Sequence, residues 1–216
     1  MTAAADKPVT HGAHGLPYLA LGDSYTIGEG VDASDRWPVQ LAAALRDDGI
    51  ALEPPRIIAT TGWTTDELSA AIDALPPLGS FALVSLAIGV NNQYRGRSAD
   101  DYRGEFSGLL QRAIGYADGH AGRVIVLAIP DWGATVFGQA SGRDRAQIMQ
   151  QIDAFNAVAG EVCAQRGVAF VDITPVSRER GGEAAMLAAD GLHPSAAMYA
   201  QWTRLALPVA RTLLSH

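Results

Sequence analysis

The 216-residue chain has one cysteine, Cys163, which excludes a disulfide framework and a cysteine-rich metal cluster. Cys163 falls among Ile148, Ile152, Phe155, Ala159 and Val162 at helical spacing, so a small buried apolar role is expected of it. Positive charge is scarce: 16 Lys and Arg stand against 23 Asp and Glu, a formal net charge of −7. Such a balance attracts neither nucleic acid nor an anionic membrane surface, and neither is expected as a partner. Long apolar runs are missing as well. Phe81 to Ile88 is only eight residues, far short of the roughly 20 that a helix needs to cross a bilayer, so no membrane insertion is expected. The first 17 residues hold no run of seven apolar side chains, so the chain reads as cytoplasmic, with a flexible tail over residues 1–15. His11 and His14 in that tail have no further ligands beside them, and no metal is expected there. No internal repeat, low-complexity tract or linker divides the remainder. Residues 16–216, in a chain 48% hydrophobic, are read as one domain with a substantial core.

What is present is a strict alternation. Apolar runs at Leu16–Leu21, Arg56–Ala59, Phe81–Ile88, Val124–Ile129 and Val168–Ile173 show little polar alternation, as strands buried on both faces do. Between them lie helical spacings: Trp37, Leu41 and Leu45; Leu68, Ala71 and Leu75; Phe106 to Ile114; Ile148 to Val162; and finally Met198 to Val209. The pattern predicts a single-domain α/β/α three-layer sandwich around a doubly wound, five-stranded parallel sheet of flavodoxin-like order 2-1-3-4-5. Gly138–Gly142 and Ser177–Gly182 read as flexible surface loops.

In such sheets ligands bind beyond the carboxyl ends of the strands. Here the strands exit into Asp23-Ser24, Thr60-Thr61-Gly62, Gly89-Val90-Asn91-Asn92 and Pro130-Asp131-Trp132, and the fifth precedes Asp190 and His193. A serine hydroxyl becomes a nucleophile when an imidazole takes its proton and a third group fixes the imidazole tautomer. Ser24, His193 and Asp190 supply the three types. Taken singly, Ser24 is equally an N-cap for the turn at Tyr25, Asp190 and His193 equally a turn closed by Pro194, Gly62 a strand end and Asn91 a helix cap. Asp131 and Asp172 compete with Asp190 as partner of His193. Among the other histidines, His120 sits at the opposite sheet edge and His216 is the last residue.

Gly22-Asp23-Ser24, Gly62, Gly89-Val90-Asn91 and Asp190-Gly191-Leu192-His193 stand in order at predicted strand ends, and together they resemble the four blocks of the SGNH hydrolases, or GDSL esterase-lipase family. The resemblance spans residues 16 to 215. It implies Ser24 as nucleophile, His193 as general base and then acid, and Asp190 as the group orienting His193. It further implies an oxyanion hole from the N–H groups of Ser24 and Gly62 and the side-chain amide of Asn91. Losing one such donor typically costs about 3 to 4 kcal/mol of transition-state stabilisation. Two positions depart from the family pattern: Asn92 replaces a frequent aspartate, and Tyr25 a frequent leucine.

The implied reaction is hydrolysis of small or short-acyl esters through an acyl-enzyme, with no metal or organic cofactor, on a small-molecule substrate. Acetylated carbohydrates, aryl esters, lysophospholipids and thioesters are all handled within the family. Tyr94, Trp132 and Phe137 are expected to pack on the substrate, and Arg95 and Arg97 either to hold a polar leaving group or to form ion pairs. Activity should fall as pH drops through about 6.5, where a free imidazole protonates. Metal-dependent phosphoryl or sulfuryl ester hydrolysis is disfavoured, since no carboxylate or histidine cluster stands ready to hold a divalent ion, and a non-catalytic binding module is disfavoured by the presence of every catalytic-type group.

Overall fold

A computed structural model describes residues 15–215; the expected tail over 1–15 therefore lies, apart from Gly15, outside the described residues, as do His11, His14 and His216. The chain runs β1 (Tyr18–Gly22), α1 (Ser24–Ile27), α2 (Trp37–Asp47), β2 (Arg56–Ala59), α3 (Thr65–Asp73), β3 (Leu83–Ala87), α4 (Val90–Tyr94) and α5 (Ala99–Tyr116). It continues with β4 (Val124–Leu127), α6 (Val136–Ala140), α7 (Arg145–Arg166), β5 (Ala169–Val171), α8 (Thr174–Arg180) and α9 (Ala196–Leu214).

The five strands pair in parallel in the order β2-β1-β3-β4-β5. Every residue of β1, β3 and β4 is buried, which is why these segments read as unbroken apolar runs rather than as alternating ones. Helices α2 and α9 pack on one another over one face, and α5 packs against α3 and α7 over the other. Trp37, Trp202, Tyr102 and Phe106 are fully buried between these layers and the sheet. Cys163 is buried on α7, and burial pushes its thiol up to about 12, so it behaves as a small apolar side chain. Among the described residues no helix is long and apolar enough to cross a membrane.

Two segments differ from the sequence expectation. Gly138–Ala140 belongs to α6 and Ser177–Arg180 to α8, not to loops. Glycine and serine content misleads here because the helices are held by capping and burial. Thr135 caps α6 by accepting the Gly138 N–H at 3.0 Å, and the Ser177 hydroxyl is buried, donating to the Thr174 carbonyl at 2.7 Å.

Candidate active site

Register puts the ends of the central strands level: Gly22 pairs with Ala59 on one side and Ala87 on the other. Just beyond Gly22 the chain turns sharply. Asp23, 1% exposed, caps α1 by accepting the Tyr25 N–H on Oδ1 at 3.0 Å, and Gly28 ends the helix by donating to the Ser24 carbonyl at 3.0 Å. The Ser24 side chain is thereby set at the carboxyl edge of the sheet. Burial pushes the Asp23 carboxyl up to about 7, against the opposing pull of backbone N–H bonds. Asp23 serves the elbow through its cap on the Tyr25 N–H.

The histidine arrives on a surface turn. Asp190 Oδ1 accepts the N–H groups of Leu192 and His193, both at 2.9 Å, while Oδ2 lies 2.5 Å from His193 Nδ1. Ala188 N–H donates to the His193 carbonyl at 2.7 Å and closes the loop from behind. Partial burial pulls the Asp190 carboxyl up, but the ring and the N–H bonds outweigh it and hold the pKa below the usual carboxylate value. A carboxylate on Nδ1 favours the tautomer that leaves Nε2 free to accept a proton. The two rivals are occupied elsewhere. Asp131 Oδ2 takes Arg178 Nε at 2.9 Å and its Oδ1 the Gly133 N–H, while Asp172 accepts the Thr174 N–H at 3.0 Å.

Gly62 is the third residue of a turn closed by Trp63 N–H to the Thr60 carbonyl at 3.2 Å, with φ +89°. That value is open to glycine and strained for other residues. The side-chain amide of Asn91 donates to the Trp63 carbonyl at 2.9 Å, which ties the loop after β3 to the loop after β2 and leaves its second N–H without a partner among the described residues. The backbone N–H groups of Ser24 and Gly62 have no partner among the described residues. At Gly89 a Cβ would stand 2.7 Å from the Tyr102 ring, so the approach to Asn91 requires glycine.

Asn92, the first departure from the family pattern, is fully buried. Its Oδ1 accepts the Thr65 N–H at 3.1 Å, and its Nδ2 donates to Thr65 Oγ1 at 2.6 Å and Glu105 Oε2 at 3.1 Å. The amide suits this site because one side must donate to a carboxylate. At the second departure, the Tyr25 ring lies 5.8 Å from that of His193 and 5.9 Å from that of Trp202.

Ser24, Gly62, Asn91 and His193 line one cavity of about 230 Å³ together with Tyr94, Trp132 and Phe137. Trp132 forms its wall: the indole N–H donates to Gln93 Oε1 at 2.8 Å, and the ring meets Tyr94 and Phe137 at centroid distances of 5.3 and 6.2 Å. Tyr25, Thr61, Val90 and Leu192 complete the lining and were not anticipated. A signal existed, since Val90 and Leu192 belong to the quoted blocks and Tyr25 and Thr61 adjoin them. Arg143, stacked 4.2 Å from the Tyr94 ring centre, had no such signal. Arg95 is not among the lining residues. Its guanidinium donates to Glu67 Oε1 at 3.0 Å and to the Gly62 carbonyl at 2.7 Å, and Arg97 pairs with Asp66 at 2.6 Å. Both arginines thus form ion pairs.

A sheet of this order, with Ser24, Gly62, Asn91 and His193 gathered in one cavity at its carboxyl edge, fits the SGNH resemblance, and sequence comparison places the chain in that family. Residues 20–201 match the family described as the GDSL-like Lipase/Acylhydrolase family; the chain belongs to it and is a hydrolase of ester bonds. It is 28% identical over 212 residues to esterase TesA of Pseudomonas aeruginosa, covering 95% of this chain and 93% of that protein. A crystal structure of TesA superposes with TM-score 0.71 at 26% identity, covering 92% and 99% of the two chains. Phospholipase A1 from Streptomyces albidoflavus shares the fold at TM-score 0.66 and 23% identity, with 92% and 99% covered.

Proposed function

We propose that the protein is a serine esterase in which Ser24 attacks the ester carbonyl. His193 takes the hydroxyl proton on Nε2 and passes it to the leaving alcohol, giving an acyl-Ser24 intermediate. Water, deprotonated by His193, then attacks the acyl carbon; the acid departs and Ser24 regains its proton. Asp190 holds the ring and favours the imidazolium. The Ser24 and Gly62 N–H groups and the free Asn91 N–H receive the oxyanion. The observation that carries this reading is the His193 Nδ1 to Asp190 Oδ2 pair at 2.5 Å on the rim of the same cavity as Ser24 and the unspent donors.

A cavity of about 230 Å³ lies below the roughly 300–1,000 Å³ that accommodates drug-sized ligands, which favours short acyl groups. Its walls of Trp132, Phe137 and Tyr94 favour an apolar acyl group over a charged one. A thioester, a lysophospholipid or an acetylated sugar would use the same machinery, differing in what departs. The relative named as an esterase supports the ester class.

A fluorophosphonate probe tests the nucleophile. Wild-type protein should label stoichiometrically, and Ser24→Ala should neither label nor turn over a short p-nitrophenyl ester, with kcat lower by at least about 10⁴-fold. Equal labelling of the two, or none of the wild type, overturns the assignment.

A further inference from the structure

We propose that Arg95 is a positioning residue for the oxyanion hole, holding the Gly62 turn so that its N–H faces the substrate carbonyl; the inference rests on the serine-esterase reading above. Thr61 and Gly62 are the central residues of a turn whose positive φ at Gly62 is the type II pattern. The Gly62 N–H has no partner of its own among the described residues, so where it points follows from how the rest of the residue is held. Glycine permits either sign of φ, so the residue itself provides no lock.

The lock comes from the next loop. Asn91 and Arg95 stand one turn apart on α4 and its C-cap, with the Arg95 N–H donating to the Asn91 carbonyl at 3.0 Å. Asn91 reaches the Trp63 carbonyl at 2.9 Å and Arg95 the Gly62 carbonyl at 2.7 Å. Two consecutive carbonyls of the turn are thus gripped from one short helix. Arg95 is braced in its turn by Glu67, which also accepts the Thr64 N–H at 2.9 Å in the capping box of α3. One prong of the guanidinium is held by a fixed carboxylate while the other holds the turn, an arrangement that a planar fork satisfies and an ammonium reproduces only in part.

The pair is exposed, with the Arg95 and Glu67 side chains 44% and 39% accessible, and exposed ion pairs add little to stability. Its removal should therefore show in catalysis and not in melting. In Arg95→Met, kcat for a short p-nitrophenyl ester should fall about 10- to 100-fold while KM stays within about threefold. The inhibition constant of a phenylboronic acid, which becomes tetrahedral on Ser24, should rise by the same factor. Arg95→Lys should recover part of both losses, and Tm should move by no more than about 3 °C in either variant.

Unchanged kcat and boronate inhibition in Arg95→Met would overturn the proposal. So would a rise in KM at constant kcat, the mark of substrate contact, or a loss of activity matched by a lower labelled fraction and a lower Tm. Wild-type protein that the fluorophosphonate fails to label refutes the esterase reading itself, whereas labelled wild type with an unaffected Arg95→Met variant refutes the positioning role alone.

Discussion

The elbow that carries Ser24 and the turn that carries His193 reach the same cavity by opposite means. Around Ser24 the chain is buried on all sides: Asp23, Ser24 and Thr26 are 1%, 4% and 0% exposed, and the elbow follows directly from a strand buried along its whole length. Around His193 the chain is a surface turn in which the Asp190 side chain is 43% exposed and local hydrogen bonds do the holding. The carboxylates of the two segments shift in opposite directions because burial and hydrogen bonding balance differently in each. Asp23, sealed in the elbow, is pushed up by burial, while for Asp190 the His193 ring and two N–H groups outweigh burial and hold it down. Ser24 is placed by the core and His193 by a clasp, so the one should fail by unfolding and the other by misorientation.

Asp190→Asn offers the largest effect. The amide oxygen can still accept the Leu192 and His193 N–H groups, but its NH₂ would face Nδ1 and favour the wrong tautomer. We expect kcat to drop by about 10² to 10⁴-fold with Tm nearly constant, measured by steady-state kinetics and calorimetry. A large fall in Tm would make the turn part of the core and erase the contrast.

Asp23→Asn probes the elbow. An acid whose folded-state pKa is raised binds its proton more tightly when folded. Its stabilising contribution is complete below the unfolded value of 3.8 and is lost as pH rises through about 7. The wild type should therefore lose stability relative to Asp23→Asn as pH rises from about 4 to 7, by a few kcal/mol at most, seen as a Tm gap that widens with pH and levels off above 7. A gap independent of pH would contradict the buried, proton-holding aspartate.

The smallest effect is expected at Asn92, which shares the burial of the elbow. Asn92→Asp would set a second carboxylate against Glu105, and stability should fall by about 1 to 3 kcal/mol at pH 7 and recover toward pH 4 as one carboxyl protonates. Urea titration at the two pH values reads this directly.

The same contrast governs what the sequence discloses. The sheet was legible because strands buried on both faces leave unbroken apolar runs, as Phe81–Ile88 does for β3. Its edges drifted by a residue or two, as at β5, where only Ala169–Val171 pair. The residues of the first three blocks were legible because each follows a strand end, where topology dictates that functional groups collect, whereas Asp190 and His193 lie beyond α8 and were legible from their own motif. Residues held by long-range contact left no mark. Nothing in Gln93-Tyr94-Arg95-Gly96-Arg97 announces that Arg95 grips the Gly62 carbonyl, because a carbonyl acceptor has no side-chain identity to read. Helices α6 and α8 were hidden by their composition, and Asn92 looked like a departure until its neighbour Glu105 was known.

One backbone contact has a bearing on how such an enzyme changes its diet. The Phe137 N–H donates to the Gly191 carbonyl at 2.9 Å, so the wall of the cavity is stitched to the turn that bears His193 by main chain alone. A library at position 137 can therefore resize the cavity through every side chain except proline, the one residue that would cut the stitch. Substrate range and catalytic geometry are separable at this position, and a lineage can explore the first without disturbing the second.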